Sequence, residues 1–155
     1  MSRHKELRLV LVLFVAPLCA APLAAQVQVN RVDDIRFGNV AAGVANTVLR
    51  TDAARAGRFD VITPPGALIT GTFVLPAVMT RAGGATMPIS FTGNTAGYSD
   101  AQSIGSQVAF DPRVGGTVRA TDGLASVFMG ATVTPAVGQA PGSYTATITL
   151  ILVVM

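Results

Sequence analysis

The stretch from Gly142 to Met155 constrains the fold more than any other part of the chain. It reads Gly-Ser-Tyr-Thr-Ala-Thr-Ile-Thr-Leu-Ile-Leu-Val-Val-Met. Period-two alternation of β-branched residues marks a half-buried strand. One face would carry Tyr144, Ala146, Ile148, Leu150, Leu152 and Val154, and the other Thr145, Thr147 and Thr149. Beyond Thr149 both faces are apolar, with Ile151, Val153 and Met155 on the second. An uncharged strand that is apolar on both faces is an aggregation hazard at a bare sheet edge. Such a strand belongs in the middle of a sheet or under a partner.

The chain begins with the layout of a secretory signal peptide. Arg3, Lys5 and Arg8 form a basic start, Leu9 to Leu18 an uncharged apolar run, and Ala20, Ala21, Ala24 and Ala25 the small residues before a cut. Cleavage is expected after Ala25, giving a signal over 1–25 and one β-sandwich domain over 26–155. Ala16-Pro17-Leu18 before Cys19 does not fit a lipobox. Pro17 and Pro22 interrupt an apolar run shorter than the ~20 residues of a spanning helix, so no membrane span is expected in the mature chain. The expected location is beyond the inner membrane: periplasm, cell surface or medium.

Removing the signal changes the electrostatics. The whole chain carries 11 basic and 8 acidic residues. Arg3, Lys5, Arg8 and Glu6 leave with the signal, so eight Arg face seven Asp in the remainder. Those arginines are scattered, whereas nucleic-acid binding needs a clustered basic patch. No nucleic-acid partner is expected.

The mature chain contains no Cys, His, Lys, Glu or Trp. Most catalytic schemes therefore lack their parts. General acid–base work has only Asp to draw on among the usual groups. A Ser-His-Asp triad needs a His, and structural zinc needs Cys or His. Asp111-Pro112 and Asp122-Gly123 read as turn chemistry, and Asp33 and Asp34 point to opposite faces of a strand. An enzyme is not expected, nor a cofactor or a metal.

Along the mature chain, short alternating runs are separated by turn signals. Val27 and Val29 alternate first; Ile35 and Phe37 stop at Gly38-Asn39; Thr47 to Thr51 is a weak run. Phe59 and Val61 end at Pro64-Pro65-Gly66, and Ile69, Phe73 and Leu75 at Pro76. Met87, Ile89 and Phe91 follow, with Pro88 suggesting an edge or a strand start. Val108 and Phe110 end at Asp111-Pro112. The run through Val118 meets Asp122-Gly123, a hairpin signal, before Val127, Met129, Ala131 and Val133. That makes about eight or nine strands at the ~8–12-residue spacing of a sandwich or barrel. Phe37, Phe59, Phe73, Phe91, Phe110 and Phe128 read as core. The longest irregular stretch, Gly93 to Gly105, reads as a surface loop in which Tyr98 and Asp100 are the candidate binding residues.

The order of these runs resembles a secreted bacterial family called domain of unknown function 4402, and more generally pilin and fimbrial-subunit sandwiches. The matching pieces are Ile35-Arg36-Phe37-Gly38-Asn39, Thr72-Phe73-Val74-Leu75-Pro76, Met87-Pro88-Ile89-Ser90-Phe91, Met129-Gly130-Ala131-Thr132-Val133-Thr134 and Gly142-Ser143-Tyr144-Thr145. The resemblance implies an immunoglobulin-like sandwich, export, and assembly into surface fibres with a periplasmic chaperone and identical or related subunits. Chaperone–usher pilins carry a glycine before the last alternating strand, and Gly142 stands there. Gly142, Tyr144, Ile148, Leu150, Leu152 and Val154 would then form the assembly strand. Val27 and Val29 would form the segment donated to a neighbour. The chain departs from the pilin pattern in having Val154 where a Tyr is usual.

Two function classes remain open. One is a structural or adhesive subunit that assembles through strand edges. The other is a stand-alone secreted module that holds glycan or protein at a loop end. A last strand paired on one side only favours the first, and a closed sandwich the second. A transmembrane barrel would need an aromatic girdle, and the chain has no Trp and two Tyr.

Overall fold

The computed structural model describes residues 27–155; the expected signal segment, Cys19 and the expected cleavage site lie outside the described residues. The described residues hold strands and turns, with no α-helix among them. Twelve strands follow in chain order. The first six are β1 (Gln28–Asp33), β2 (Asn46–Val48), β3 (Gly57–Ile62), β4 (Ala67–Val74), β5 (Val78–Thr80) and β6 (Thr86–Ser90). Then come β7 (Ala96–Ser99), β8 (Val108–Phe110), β9 (Gly116–Ala120), β10 (Leu124–Met129), β11 (Ala131–Val133) and β12 (Thr149–Val154).

All pairings are antiparallel. One sheet has the order β1-β3-β10-β7-β8, a second β2-β11-β6-β5, and a third β12-β4-β9. The fold is an open all-β sandwich, not a closed barrel. Two apolar clusters hold it together. Val61 and Ala125 of the five-stranded sheet meet Ile69, Val118 and Ala120 of the three-stranded one. The second cluster joins Met87, Ile89, Ala131 and Val133 to Ala96 and Met129, with Phe37, Phe73 and Tyr144 packed on its margin.

The strand count exceeds the expected eight or nine partly because one run is divided. Leu124 to Val133 reads as one alternating stretch, but it bends at Gly130 and passes from the first sheet to the second. Only glycine fits that bend: a Cβ would collide with the Val48 carbonyl and stand 2.8 Å from the Arg50 nitrogen.

Other expectations are corrected by pairing. Asp122-Gly123 does form a turn, with Gly123 at φ 78° and its N–H donating to the Ala120 carbonyl at 3.1 Å. It is not a hairpin turn, because β9 pairs with β4 while β10 pairs with β3 and β7. Val118 and Ala120 on one side and Ala125 on the other enter a shared core. Burying both strands against each other across the layers replaces the ladder a hairpin would make.

Pro88 lies in an interior strand, not an edge. The β11 ladder covers only Ile89 and Ser90 of β6, so the missing N–H falls where that ladder ends. The expected loop from Gly93 to Gly105 contains β7, paired to β10 and β8. That strand is disguised by Gly97, against which the Arg50 and Gln107 side chains pack: a Cβ would stand 2.7 Å from Arg50 Nε and Gln107 Oε1. Phe128 is fully buried and Phe91 nearly so, whereas Phe37, Phe73 and Phe110 are partly buried on the core margin. Phe59 is only half-buried. Its neighbour on β1 is Arg31, which brings no apolar cover.

Candidate functional site

The last strand is an edge. β12 pairs with β4 from Thr149↔Val74 to Val154↔Ile69 and has no neighbour on its other side among the described residues. Its alternation is as the sequence suggests: Leu150, Leu152 and Val154 turn inward, and Ile151, Val153 and Met155 turn out. The outward three are 49%, 55% and 69% exposed.

The backbone shows which groups the edge leaves open. Met155 and Leu68 exchange both bonds, N to O at 2.8 and 3.1 Å. In an antiparallel pair, bonded and non-bonded positions alternate. Counting back from Met155, the odd positions Thr149, Ile151 and Val153 also bond to β4. The even positions Leu150, Leu152 and Val154 direct their N–H and C=O groups away from it. The edge therefore offers a row of unpaired backbone groups beside a row of exposed apolar side chains.

Edges are normally guarded by charge, bulges, proline or shortness. β2, β5 and β8 are three residues long. β1 carries Arg31 and Asp33 with a register shift between them. β9 carries Arg119. β12 has six residues with no charge, no proline and an unbroken register.

The remaining sequence-derived residues fall into three places. Gly142, at a bend, and Tyr144 precede β12 outside any strand, in a segment tied to β5 by the reciprocal Thr80–Thr145 bonds at 2.9 Å. The expected strand from Tyr144 onward is thus shortened to Thr149–Val154, with Ile148 packed on the core margin. Gly142 has φ 142°, a region L side chains rarely adopt. Tyr144 donates its hydroxyl to the Ala140 carbonyl at 2.7 Å and receives Gln139 Nε2 at 2.5 Å. Both residues line a cleft of about 600 Å³ between residues 35–42 and 135–144, with Phe37, Met79 and Met87 among its apolar lining. Sequence reasoning missed this cleft, since its walls are about a hundred residues apart.

Val27 and Val29 belong to a different edge. Val29 pairs with Val61 on β3, and every residue of β1 is exposed. The expected donor segment is therefore paired within its own chain, held by backbone bonds more than by buried side chains. Tyr98 and Asp100 are at the β7 end, beside a shallow pocket of about 240 Å³ that also touches Arg119. Tyr98 is partly buried, with its ring 6.0 Å from Phe110.

One polar cluster also escaped sequence reasoning. Arg58 clamps Asp60 with two bonds of 2.7 and 2.9 Å, Ser126 donates to the same carboxylate at 2.5 Å, and Arg58 covers the Phe128 ring at 5.6 Å. Its signal was the Arg58-x-Asp60 spacing, which puts both on one strand face. The cluster satisfies its own charges and seals the outer side of the five-stranded sheet. Asp52 and Asp111 have carboxyls held below the ordinary range by side-chain hydrogen bonds from Arg55 and Arg113. Both pairs sit in turns away from β12.

Among the described residues no three His, Cys, Asp or Glu side chains come together as a metal set. No described helix is long and apolar enough to cross a membrane. Fold and edge together define an open antiparallel sandwich with one unguarded apolar edge strand. Compared with known proteins, the chain matches no family model and no curated protein.

Proposed function

We propose that this chain is an exported structural or adhesive protein of the bacterial surface, assembling through strand addition at β12. The observation that carries this reading is the bare edge itself. Free N–H and C=O groups of Leu150, Leu152 and Val154 lie beside exposed Ile151, Val153 and Met155. An incoming strand gains affinity from main-chain bonds and apolar cover together. The resemblance to pilin-like sandwiches supports the same reading, with copies of this chain or related subunits as partners and a periplasmic chaperone holding the edge before assembly.

The test is surface display from cells expressing the full chain. Replacing Ile151 and Val153 with Lys should abolish assembly while the exported domain stays folded. Normal assembly of that variant overturns the reading.

The cleft favours a second reading, a stand-alone module that binds glycan or protein. Its apolar lining is accompanied by Arg36, Asn39 and Gln139. Apolar lining with a few placed polar groups is the usual make-up of a binding pocket. Full display of the edge variant, with binding lost when Met79 and Met87 are replaced, would favour the module.

A further inference from the structure

We infer that the occupant of the β12 edge is the β12 strand of a second copy, paired antiparallel about a two-fold axis at Leu152. The inference rests on the reading of β12 as an assembly edge and specifies its partner and register. Three observations carry it.

The first is parity. The open backbone groups belong to even positions, as the Met155–Leu68 bonds require. A two-fold axis through Leu152 sets Leu150 opposite Val154 of the other copy and Leu152 opposite itself. Even positions then meet even positions, so each free N–H finds a free C=O. An axis midway between two residues would instead set even positions against odd ones, whose groups are already bonded to β4. Among axes through a residue, Leu152 gives the longest overlap, from Thr149 to Met155.

The second is the side chains. The same register places Ile151 directly across from Val153 of the second copy, on the outer face, in both halves of the pair. These are the exposed β-branched residues that lack cover in one copy. Cross-strand pairs of this kind are the unit of sheet stabilisation.

The third is charge. In an antiparallel self-pair a charge near the axis is brought close to its own copy, and directly opposed like charges are destabilising. β12 and β4 carry no charge, and the first on this sheet is Arg119 on β9, two strands away.

Overlap from Thr149 to Met155 runs about 20 Å. Such an edge contact alone buries less than the ~1,200 Å² of a standard interface, so the pair is weak, with dissociation in the micromolar range or above. A two-fold contact is closed. Growth beyond a pair would have to use another edge.

The experiment uses protein exported from cells expressing the full chain, as two single variants, Ile151→Cys and Val153→Cys. Directly opposed non-bonded positions have Cα atoms about 4.5 Å apart, within disulfide reach. Diagonal positions are about 7–8 Å apart, beyond it. Oxidation of the mixed variants should therefore join position 151 of one copy to position 153 of the other by a disulfide. That mixed product should be several-fold more abundant than the self-linked product of either variant alone. The unsubstituted chain is the control for Cys19. Val153→Lys in the wild-type background should leave circular dichroism unchanged and abolish concentration-dependent association in light scattering. Association without the mixed disulfide, or with equal self-linkage of either variant, overturns the two-fold pairing and leaves strand addition standing, as with β1 of a neighbour. A wild-type chain that stays monomeric up to millimolar concentration overturns both.

Discussion

Met155 and Leu68 face each other across the β12–β4 ladder and exchange both backbone hydrogen bonds, at 2.8 and 3.1 Å. Through the alternation of antiparallel pairing, this one contact determines which residues of the last strand are left open. Inward side chains and outward backbone groups then belong to the same residues, Leu150, Leu152 and Val154. A substitution there damages the core before it damages the edge.

The two faces of β12 should therefore respond differently. Ile151→Lys and Val153→Lys alter exposed positions and should change stability by no more than about 0.5 kcal/mol. Leu152 packs against the cluster of Val61 and Ile69. Leu152→Asp should cost at least about 2 kcal/mol, since it puts a carboxylate against apolar surroundings. Urea titration of the three variants checks the contrast.

Gly130 tests the passage between sheets. A Cβ there meets the Val48 and Leu49 backbone, which cannot move aside as a flexible side chain would. Gly130→Ala should destabilise by at least the ~1–3 kcal/mol of overpacking. Gly138 has open space around its Cβ position, so Gly138→Ala should be near neutral. Thermal melts of both variants provide the comparison.

Among the aromatics, Phe128 is 1% exposed, while Phe73 is partly buried and stacks 6.0 Å from Phe110. Phe128→Ala should cost about 3–5 kcal/mol. Phe73→Ala should cost clearly less, because less of its ring leaves water on folding. Equal losses in chemical denaturation would mean that the margin is packed as tightly as the centre.

The Asp111–Arg113 pair sets a pH dependence. Arg113 donates to Asp111 through Nε at 2.9 Å and Nη2 at 2.7 Å, lowering its pKa from the ordinary 3.8. A carboxyl depressed in the folded state contributes stability above its unfolded pKa and loses it as pH falls through the folded value. Both side chains meet solvent, so the effect on melting temperature is small. Arg113→Ala should raise the Asp111 titration midpoint toward 3.8 in an NMR pH series.

Much of the local structure was legible in the residues. The inward and outward faces of β12 follow from strict alternation, and the turns at Gly66 and Gly123, where both glycines take positive φ, from Pro64-Pro65-Gly66 and Asp122-Gly123. β7 was hidden because Gly97 serves a close approach by Arg50, a reason that lies in another part of the chain. The turn at Asp122-Gly123 was visible, but not the separation of its two strands into different sheets. Turn residues set a local backbone path, whereas partners are chosen by which apolar faces bury one another.

The same division applies to the candidate site. The sequence by itself determined that the last strand is apolar on both faces, uncharged and in need of cover. Period-two spacing is a local property of the backbone, so any sheet containing this strand must show it. Only the tertiary structure decided that β4 covers one side of it and nothing in the described chain covers the other. Strand order depends on pairing between residues far apart in the chain, such as Leu68 and Met155. Neither segment carries a mark that names the other: their pairing is set by backbone groups common to all residues, and by a core that exists only once the layers have closed.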